Sequence, residues 1–475
     1  MSDVSERPVV SAAPKVSHSG AGVYAWYVFW LMCGLNFINY VDRFIFTAVS
    51  PAIETQLNFN DLQYGLVNSA FLIVYSLVAF PLGYLAERFS RKVVVGAGVT
   101  LWSLATLLTG RANSLGTMYL ARSAVGIGEG SYYPSGTPLL AAWFPANRRA
   151  SILAWWGSSA LVGAGIGTVF GGFFNHPDSW RTAFYISAVP GLILGLLMFF
   201  LRERVRSDED PEVSATFAVN PIETIKRCWK IRTFRVILFQ HALGFFALAS
   251  AAAYLVLYVS DTYGVKSGYG PAALGATVES ILPGGILVVG GIAGGIYGGA
   301  WANRMRRTHI GARVRTGGVG FLVAAPFLAA ALGAPYALRL IPAYIAAPST
   351  TQVTIGVAAF AVMALGAAFF LNVYNGPTSA ALQDVLPPNL RAAGGGLELT
   401  LAHILGDIYA PTAIGGLSVL LGSALGGHQI GLALLITCPF TLIGAGVIGI
   451  WGSKFYRADV EVLGVSAESM VGSNS

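Results

Sequence analysis

The sequence predicts an all-α membrane protein of twelve transmembrane helices in two pseudo-symmetric six-helix halves, and three observations predict it. Of the 475 residues, 55% are hydrophobic and only 11% are charged, less than half the charge of an ordinary soluble domain. Apolar stretches of roughly 20 residues, the length that crosses a bilayer as a helix, recur along the chain. The basic residues also fall on alternate sides of these stretches, as short cytoplasmic loops require. Strand-like alternation is absent, and helices satisfy their own backbone groups in lipid.

The expected spans run over 24–50, 62–82, 93–110, 117–141, 150–174, 182–201, 233–259, 272–300, 316–334, 353–380, 392–421 and 430–452. With the N-terminus placed inside, most of the 29 Lys and Arg lie in or beside the tails and inner loops. Arg111, Arg181, Lys266 and Arg339 lie outside, while Arg43 and Arg122 fall well within spans and Arg235 in the first turn of the seventh, at its inner end. Both termini are therefore expected in the cytoplasm. The net charge of +7 reads as orientation, because its residues are scattered over loops; no nucleic-acid partner is expected.

These limits divide the chain into a tail (1–23), a six-helix bundle (24–201), a cytoplasmic linker (202–232), a second bundle (233–452) and a tail (453–475). In the linker, Ile222, Ile225, Cys228 and Trp229 alternate with Lys226, Arg227 and Lys230, a pattern that suits a helix lying along the inner interface. Cys33, Cys228 and Cys438 have no paired spacing and read as packing residues; no disulfide framework, metal or cofactor is expected. The polar first 20 residues hold no cleavable apolar core, so the first span is expected to direct insertion. There is no Asn-X-Ser/Thr sequon, which leans towards a bacterial inner membrane.

The halves echo each other. "GYLAERFSRK" (83–92) follows span 2 and "GAWANRMRRT" (299–308) follows span 8, sharing a Gly, an Arg five later and an Arg three beyond. "FPANRRAS" (144–151) precedes span 5 and "PPNLRAAG" (387–394) precedes span 11. Repeated halves around a midplane site are the architecture of alternating-access transport.

On these motifs the chain resembles the major facilitator superfamily over its whole length. Within that family, "NYVDR" in span 1, "RSAVGIGEGSYYP" (122–134) and "HILGDIYAP" (403–411) resemble the Spinster branch of sphingolipid and lysolipid transporters. The anion:cation symporters show a similar span 1 and span 4. The resemblance implies a secondary transporter, one chain as the working unit, protons and an amphipathic lipid-like molecule as partners, and proton-coupling roles for the span 1 acid and the span 4 Arg and Glu.

Embedded charges are expensive and face a partner or a cavity. At 1.5 Å per residue, Asp42 on span 1 and Arg122 on span 4 come to similar height, with Glu129 nearer the middle. Arg122 and Glu129, seven apart, share a face. One guanidinium thus faces two carboxylates, and two readings follow: a proton switch in which Arg122 moves between Asp42 and Glu129, or a static ion pair tying span 1 to span 4. Arg43 points about 100° away from Asp42 and either joins the site or reaches the interface. His403 and Asp407, four apart, form a proton relay or a polar contact between helices. His241, Glu279 and Glu398 are weaker candidates.

Gly83, Glu87, Arg88 and Arg91 read as an inner gate holding loops and helix ends together, or as positive-inside anchoring. Gly163, Gly167 and Gly171 make a close-packing stripe that reads as a sliding surface between the halves or as mere packing. Tyr132, Tyr133, Trp155, Trp156, Phe369, Phe370 and Tyr374 are the expected cavity lining, an apolar surface with polar tips for an amphipathic ligand. An organic-anion symporter would hold its carboxylates with cations from both halves, yet apart from Arg235 in the first turn of the seventh no Lys or Arg lies within the later spans, which favours the lipid. No ring of filter residues marks a channel, and no nucleophilic set marks an enzyme.

Overall fold

The computed structural model describes residues 22–203, 221–263, 282–306, 308–346, 349–387, 390–427 and 429–462. In the first half, α1 (Val23–Ala48), α3 (Asp61–Arg88), α4 (Arg91–Arg111), α5 (Leu115–Ala141), α6 (Ala146–Phe173) and α7 (Trp180–Phe199) cross the bundle, with a short α2 (Ser50–Leu57) after α1. After α8 (Pro221–Lys230) come α9 (Arg232–Tyr263), α10 (Leu282–Met305), α11 (Ala312–Leu338) and a one-turn α12 (Pro342–Ile345). The second half closes with α13 (Ser349–Asn372), α14 (Asn375–Val385), α15 (Arg391–Leu405), α16 (Ala410–Leu425), α17 (Ile430–Gly452) and the short α18 (Tyr456–Glu461). The early part of the expected eighth span, with Glu279, lies outside the described residues.

Two expected continuous spans are broken. The tenth is α13 plus α14, interrupted at Val373–Tyr374, where Pro377 supplies no backbone N–H for the preceding turn. The eleventh is α15 plus α16, interrupted from Gly406 to Tyr409, with Pro411 in the first turn of α16. Among the described residues, ten helical segments are long and apolar enough to span by composition alone; α1 and α5, which carry Asp42, Arg43, Arg122 and Glu129, are not among them.

Glycines set the helix spacing around those charges. A Cβ at Gly126 or Gly130 of α5 would stand 2.7 or 2.8 Å from the carbonyl oxygens of Phe71 and Tyr75 on α3, so those two rings come against the charged face. The Gly163, Gly167 and Gly171 stripe corrects its expectation: it packs on Phe37, Val41, Ile45 and Ala48 of α1, inside one half. The approach between halves uses Gly165 on the next face, against Val288 of α10.

The end at which α1 begins and α18 ends is here the tail end, the opposite one the far end. At the far end the halves are sewn together. The Tyr254 hydroxyl stands 2.8 Å from the Asp61 carbonyl and 2.9 Å from that of Pro411, Tyr64 donates to the Ala253 carbonyl at 3.2 Å, Ser418 donates to the Asp61 carboxylate at 2.5 Å, and Thr412 meets Ser69 at 2.8 Å. A Cβ at Gly65 or Gly415 would collide with backbone across this seam.

At the tail end the sequence echo acquires a physical meaning. Arg149 donates to the Phe144 carbonyl and Arg391 to that of Leu386, each five residues earlier, so both cover the unpaired carbonyls of the preceding helix end. The glycine part of the other echo differs. Gly83 lies against Pro134, whereas in the second half Gly298, not Gly299, makes the close approach, to Val373. The α8 helix forms as expected and docks through Thr224 and Cys228, leaving Ile222, Ile225 and Trp229 exposed.

Candidate functional site

The two adjacent charges of α1 diverge. Asp42 is buried, 1% exposed; neither carboxylate oxygen makes a well-formed hydrogen bond, and the Ser187 hydroxyl of α7 is the polar neighbour that faces it. Arg43 crosses to α5, where its Nη2 lies 2.5 Å and its Nε 3.2 Å from Oε2 of Glu129. The rings of Tyr40, Phe71 and Tyr75 surround its guanidinium at 5.1, 5.0 and 5.4 Å, in cation–π range. The Arg43 side chain stays 24% exposed while that of Glu129 is fully enclosed.

This corrects the expected pairing. Arg122 is not the partner of Glu129. It is buried between Phe46 and Phe71, 4.5 and 4.9 Å from the ring centres, with its Nε unpartnered. The reason is distance: seven residues put the two about 10.5 Å apart along α5, and the lean that all helical side chains share does not close that gap. Arg122 nevertheless remains within electrostatic reach of Glu129, Arg43 and Asp42. The site therefore holds two cations and two acids with one ion pair made.

The expected lining separates into two groups. Tyr132 and Trp156 are core: the Tyr132 hydroxyl donates to the Met32 carbonyl at 2.7 Å, and the Trp156 indole donates to the Tyr132 oxygen at 2.9 Å. Tyr374 is buried too, against His241 and Phe321. Phe369 packs on Tyr297, and Phe370 stacks on Phe327. Tyr133, stacked on Trp156, and Trp155 present large open surfaces, 49% and 68% exposed. Tyr40, Phe46, Phe71 and Tyr75 escaped the sequence reading, although Tyr40 and Phe46 lie three residues from Arg43 on the same helix face.

In the second half His403 and Asp407 do meet, Nδ1 to Oδ2 at 2.6 Å, across the end of α15; the contact is within one span, not between helices. His241 and Glu398, set aside as weaker, form the deeper pair: Nδ1 lies 2.8 Å from Glu398 Oε1, and Nε2 lies 2.8 Å from the hydroxyl of Thr378. The Phe245 ring lies between His241 and His403.

At the tail end the loop motif clasps its own half. Glu203 accepts from the Ser90 hydroxyl at 2.5 Å and from the Arg91 backbone N–H at 2.9 Å, and Lys92 donates to the Leu201 carbonyl at 2.7 Å. Arg91 is buried, Arg88 exposed, Gly83 packed on Pro134, and the Glu87 side chain lies outside the described residues. The second half has its own clasp, in which Asp384 takes both Arg313 and the Tyr456 hydroxyl.

Comparison with known proteins agrees with this architecture. The chain is 27% identical over 398 residues to protein spinster homolog 1 of Xenopus laevis, covering 81% of this chain and 71% of that one. It is 25% identical over 438 residues to the sphingosine-1-phosphate transporter SPNS2 of Xenopus tropicalis, covering 90% and 81%. The crystal structure of a bacterial homologue of the human lysosomal transporter Spinster, inward-facing and unoccupied, shares its fold with a TM-score of 0.70 at 19% identity, covering 96% of this chain and 100% of that one. The family profile of the Major Facilitator Superfamily matches residues 32–411, and with twelve spans in two echoing halves the chain belongs to that superfamily of transporters.

Proposed function

We propose that the chain is a proton-coupled secondary transporter that moves a lysolipid- or sphingolipid-like anion by alternating access. One observation carries the reading: beside the Arg43–Glu129 pair, Asp42 and Arg122 are buried with bonding capacity unused. A buried carboxylate with no paired cation and only the Ser187 hydroxyl beside it carries a proton or recruits a cation. Arg122 stands within electrostatic reach of that carboxylate. Proton occupancy of Asp42 and Glu129 would then select which guanidinium each acid holds. The seam at the far end supports a form closed on that side, and the distribution of Lys and Arg supports a cytoplasmic tail end, so this arrangement reads as inward-open.

The substrate class follows from the same geometry. Arg43 offers one partly open guanidinium ringed by Tyr40, Tyr75 and Phe71, with the open ring of Tyr133 in electrostatic reach of Tyr75. One cation beside aromatic surface suits one anionic head joined to an apolar body. The polar centre of the second half offers His241 and Glu398 in place of a guanidinium clamp for a second carboxylate. A transporter of sphingosine-1-phosphate among the relatives supports the same class.

The test is uptake into proteoliposomes under an imposed pH gradient, with lysolipids and sphingoid phosphates set against sugar acids and dicarboxylates. Gradient-driven uptake of the lipids, abolished in Asp42→Asn and Glu129→Gln, is the expected result. Competition by the small acids alone would instead favour an organic-anion symporter. Glu129→Gln with unchanged pH dependence would remove Glu129 from the coupling.

A further inference from the structure

The polar centre of the second half has a hydrogen-bond count that fixes its proton content. His241, Glu398 and Thr378 are each at most 5% exposed. The Thr378 hydroxyl lies 2.7 Å from the Tyr374 carbonyl and 2.8 Å from Nε2 of His241, while Nδ1 lies 2.8 Å from Glu398. A threonine hydroxyl has one hydrogen to give. If that hydrogen goes to the Tyr374 carbonyl, Nε2 must carry its own and donate it to Thr378. The short Nδ1–Glu398 contact then needs a further proton, on the ring or on the carboxyl. Either placement gives the same content: one proton more than a neutral imidazole beside a carboxylate, and no net charge. Only this loaded form makes all three bonds at once.

Releasing that proton forces a rearrangement. The ring keeps a hydrogen on Nδ1 for the ionised Glu398, Nε2 becomes an acceptor, and the Thr378 hydrogen must turn from the Tyr374 carbonyl to the ring. The carbonyl keeps only its bond from the Thr378 backbone N–H at 3.0 Å. We propose that His241, Glu398 and Thr378 form a second proton-binding site, whose occupancy decides whether the Thr378 hydroxyl pins the break between α13 and α14. The α14 helix carries Thr378 in its first turn and Asp384, the acceptor of the tail-end clasp, in its last. The site thus reaches the tail end through one short rigid element.

The titratable groups facing the pair are Tyr374 from the break, 5.0 Å ring to ring from His241, and His403 and Asp407 from the end of α15, beyond Phe245. From α11 the neighbour is Phe321, stacked on Tyr374, and α17 presents Gly449 to the adjacent Gln240.

This site stands apart from the proposed coupling at Asp42 and Glu129, and its readout is ring protonation, not transport. The full-length protein in lipid nanodiscs, with its six histidines ring-labelled with nitrogen-15, is followed by NMR from about pH 5 to about pH 9, across the ordinary histidine range. The expected result is one ring, absent in His241→Gln, that passes from a form protonated on Nε2 to a neutral form protonated on Nδ1, with its transition displaced in Glu398→Gln and in Thr378→Val. If His241→Gln fails to fold, replacing His18, His176, His309, His403 and His428 leaves the same ring as the only signal. A His241 ring that stays in one neutral tautomer across the whole range, or a transition unmoved by Glu398→Gln, overturns the proposal. Unchanged His241 behaviour in an Asp42→Asn protein that has lost gradient-driven uptake separates the two sites.

Discussion

The two halves solve the same problem, polar groups buried in a membrane protein, in opposite ways. The first half gathers Asp42, Arg43, Arg122 and Glu129, makes one ion pair and leaves carboxylate oxygens and a guanidinium nitrogen without partners. The second half gathers His241, Glu398 and Thr378, with both ring nitrogens, the hydroxyl and a carboxylate oxygen engaged. Unused capacity lets the first centre exchange partners without importing any group, the condition for a two-state element. Within the His241, Glu398 and Thr378 set what varies is where the protons sit, while the adjacent Gln240 keeps both amide atoms without partners.

The largest expected effect is at Arg43. Arg43→Ala leaves Glu129 enclosed without its cation, and breaking a buried pair on one side costs about 3–5 kcal/mol. Adding Glu129→Gln removes the stranded charge and is expected to return most of that loss. Thermal unfolding of the two variants in detergent measures it. Equal destabilisation by the single and double variants would mean that Arg43 acts through its aromatic surroundings, and the contrast between the halves would weaken accordingly.

The seam that joins the halves comes next. Gly415→Leu sets side-chain atoms against the Asp61 carbonyl, where even a Cβ would stand 2.2 Å away. Overpacking of this kind costs about 1–3 kcal/mol, here against the sealed form only, a population shift of roughly 5- to 150-fold. Faster maleimide labelling of Thr412→Cys from the far side reads it, and an unchanged rate contradicts it.

A smaller, pH-dependent effect is expected at Glu54 beside the same seam. Burial, reinforced by Asp61 and Asp261 nearby, pushes its carboxyl well above the usual carboxylate range. A group that binds its proton more tightly in the sealed form than in an opened, hydrated one strengthens the seal as pH falls and weakens it as pH rises through the shifted value. Labelling at Thr412→Cys should accordingly accelerate with rising pH, and Glu54→Gln should flatten the profile. Acceleration on acidification would reverse the sign and sink the assignment.

The contrast between the halves was only partly legible in the sequence. Apolar run lengths and the sidedness of Lys and Arg carry the twelve spans, because lipid imposes both directly. Asp42, Arg122 and Glu129 stand out because charge at membrane depth demands a reason. Which cation takes Glu129 does not follow from a shared helix face: Arg122 stands two turns away along α5, and Gly126 and Gly130 let Phe71 and Tyr75 close around Arg43. His241, Glu398 and Thr378 come from three segments separated by over a hundred residues on one side, so no local spacing marks them. The aromatic lining failed for a related reason. Tyr132 and Tyr133 are neighbours in sequence, yet the helix turns one into the core and the other outward.

The smallest expected effect tests whether the second half holds one proton centre or two. His403 is partly exposed and Asp407 largely buried, four residues apart across the end of α15, and a hydrogen bond of this kind contributes about 0.5–1.5 kcal/mol. Asp407→Asn keeps an oxygen to accept from the ring, so stability should fall by no more than that and uptake should stay close to wild type. The Phe245 ring between His403 and His241 gives the two centres contact without a hydrogen bond, and a proton does not cross an aromatic carbon face. If Asp407→Asn abolished gradient-driven uptake while the folded fraction and the His241 titration stayed unchanged, His403 and Asp407 would be a relay in their own right, and the second half would not be the self-contained partner of the first.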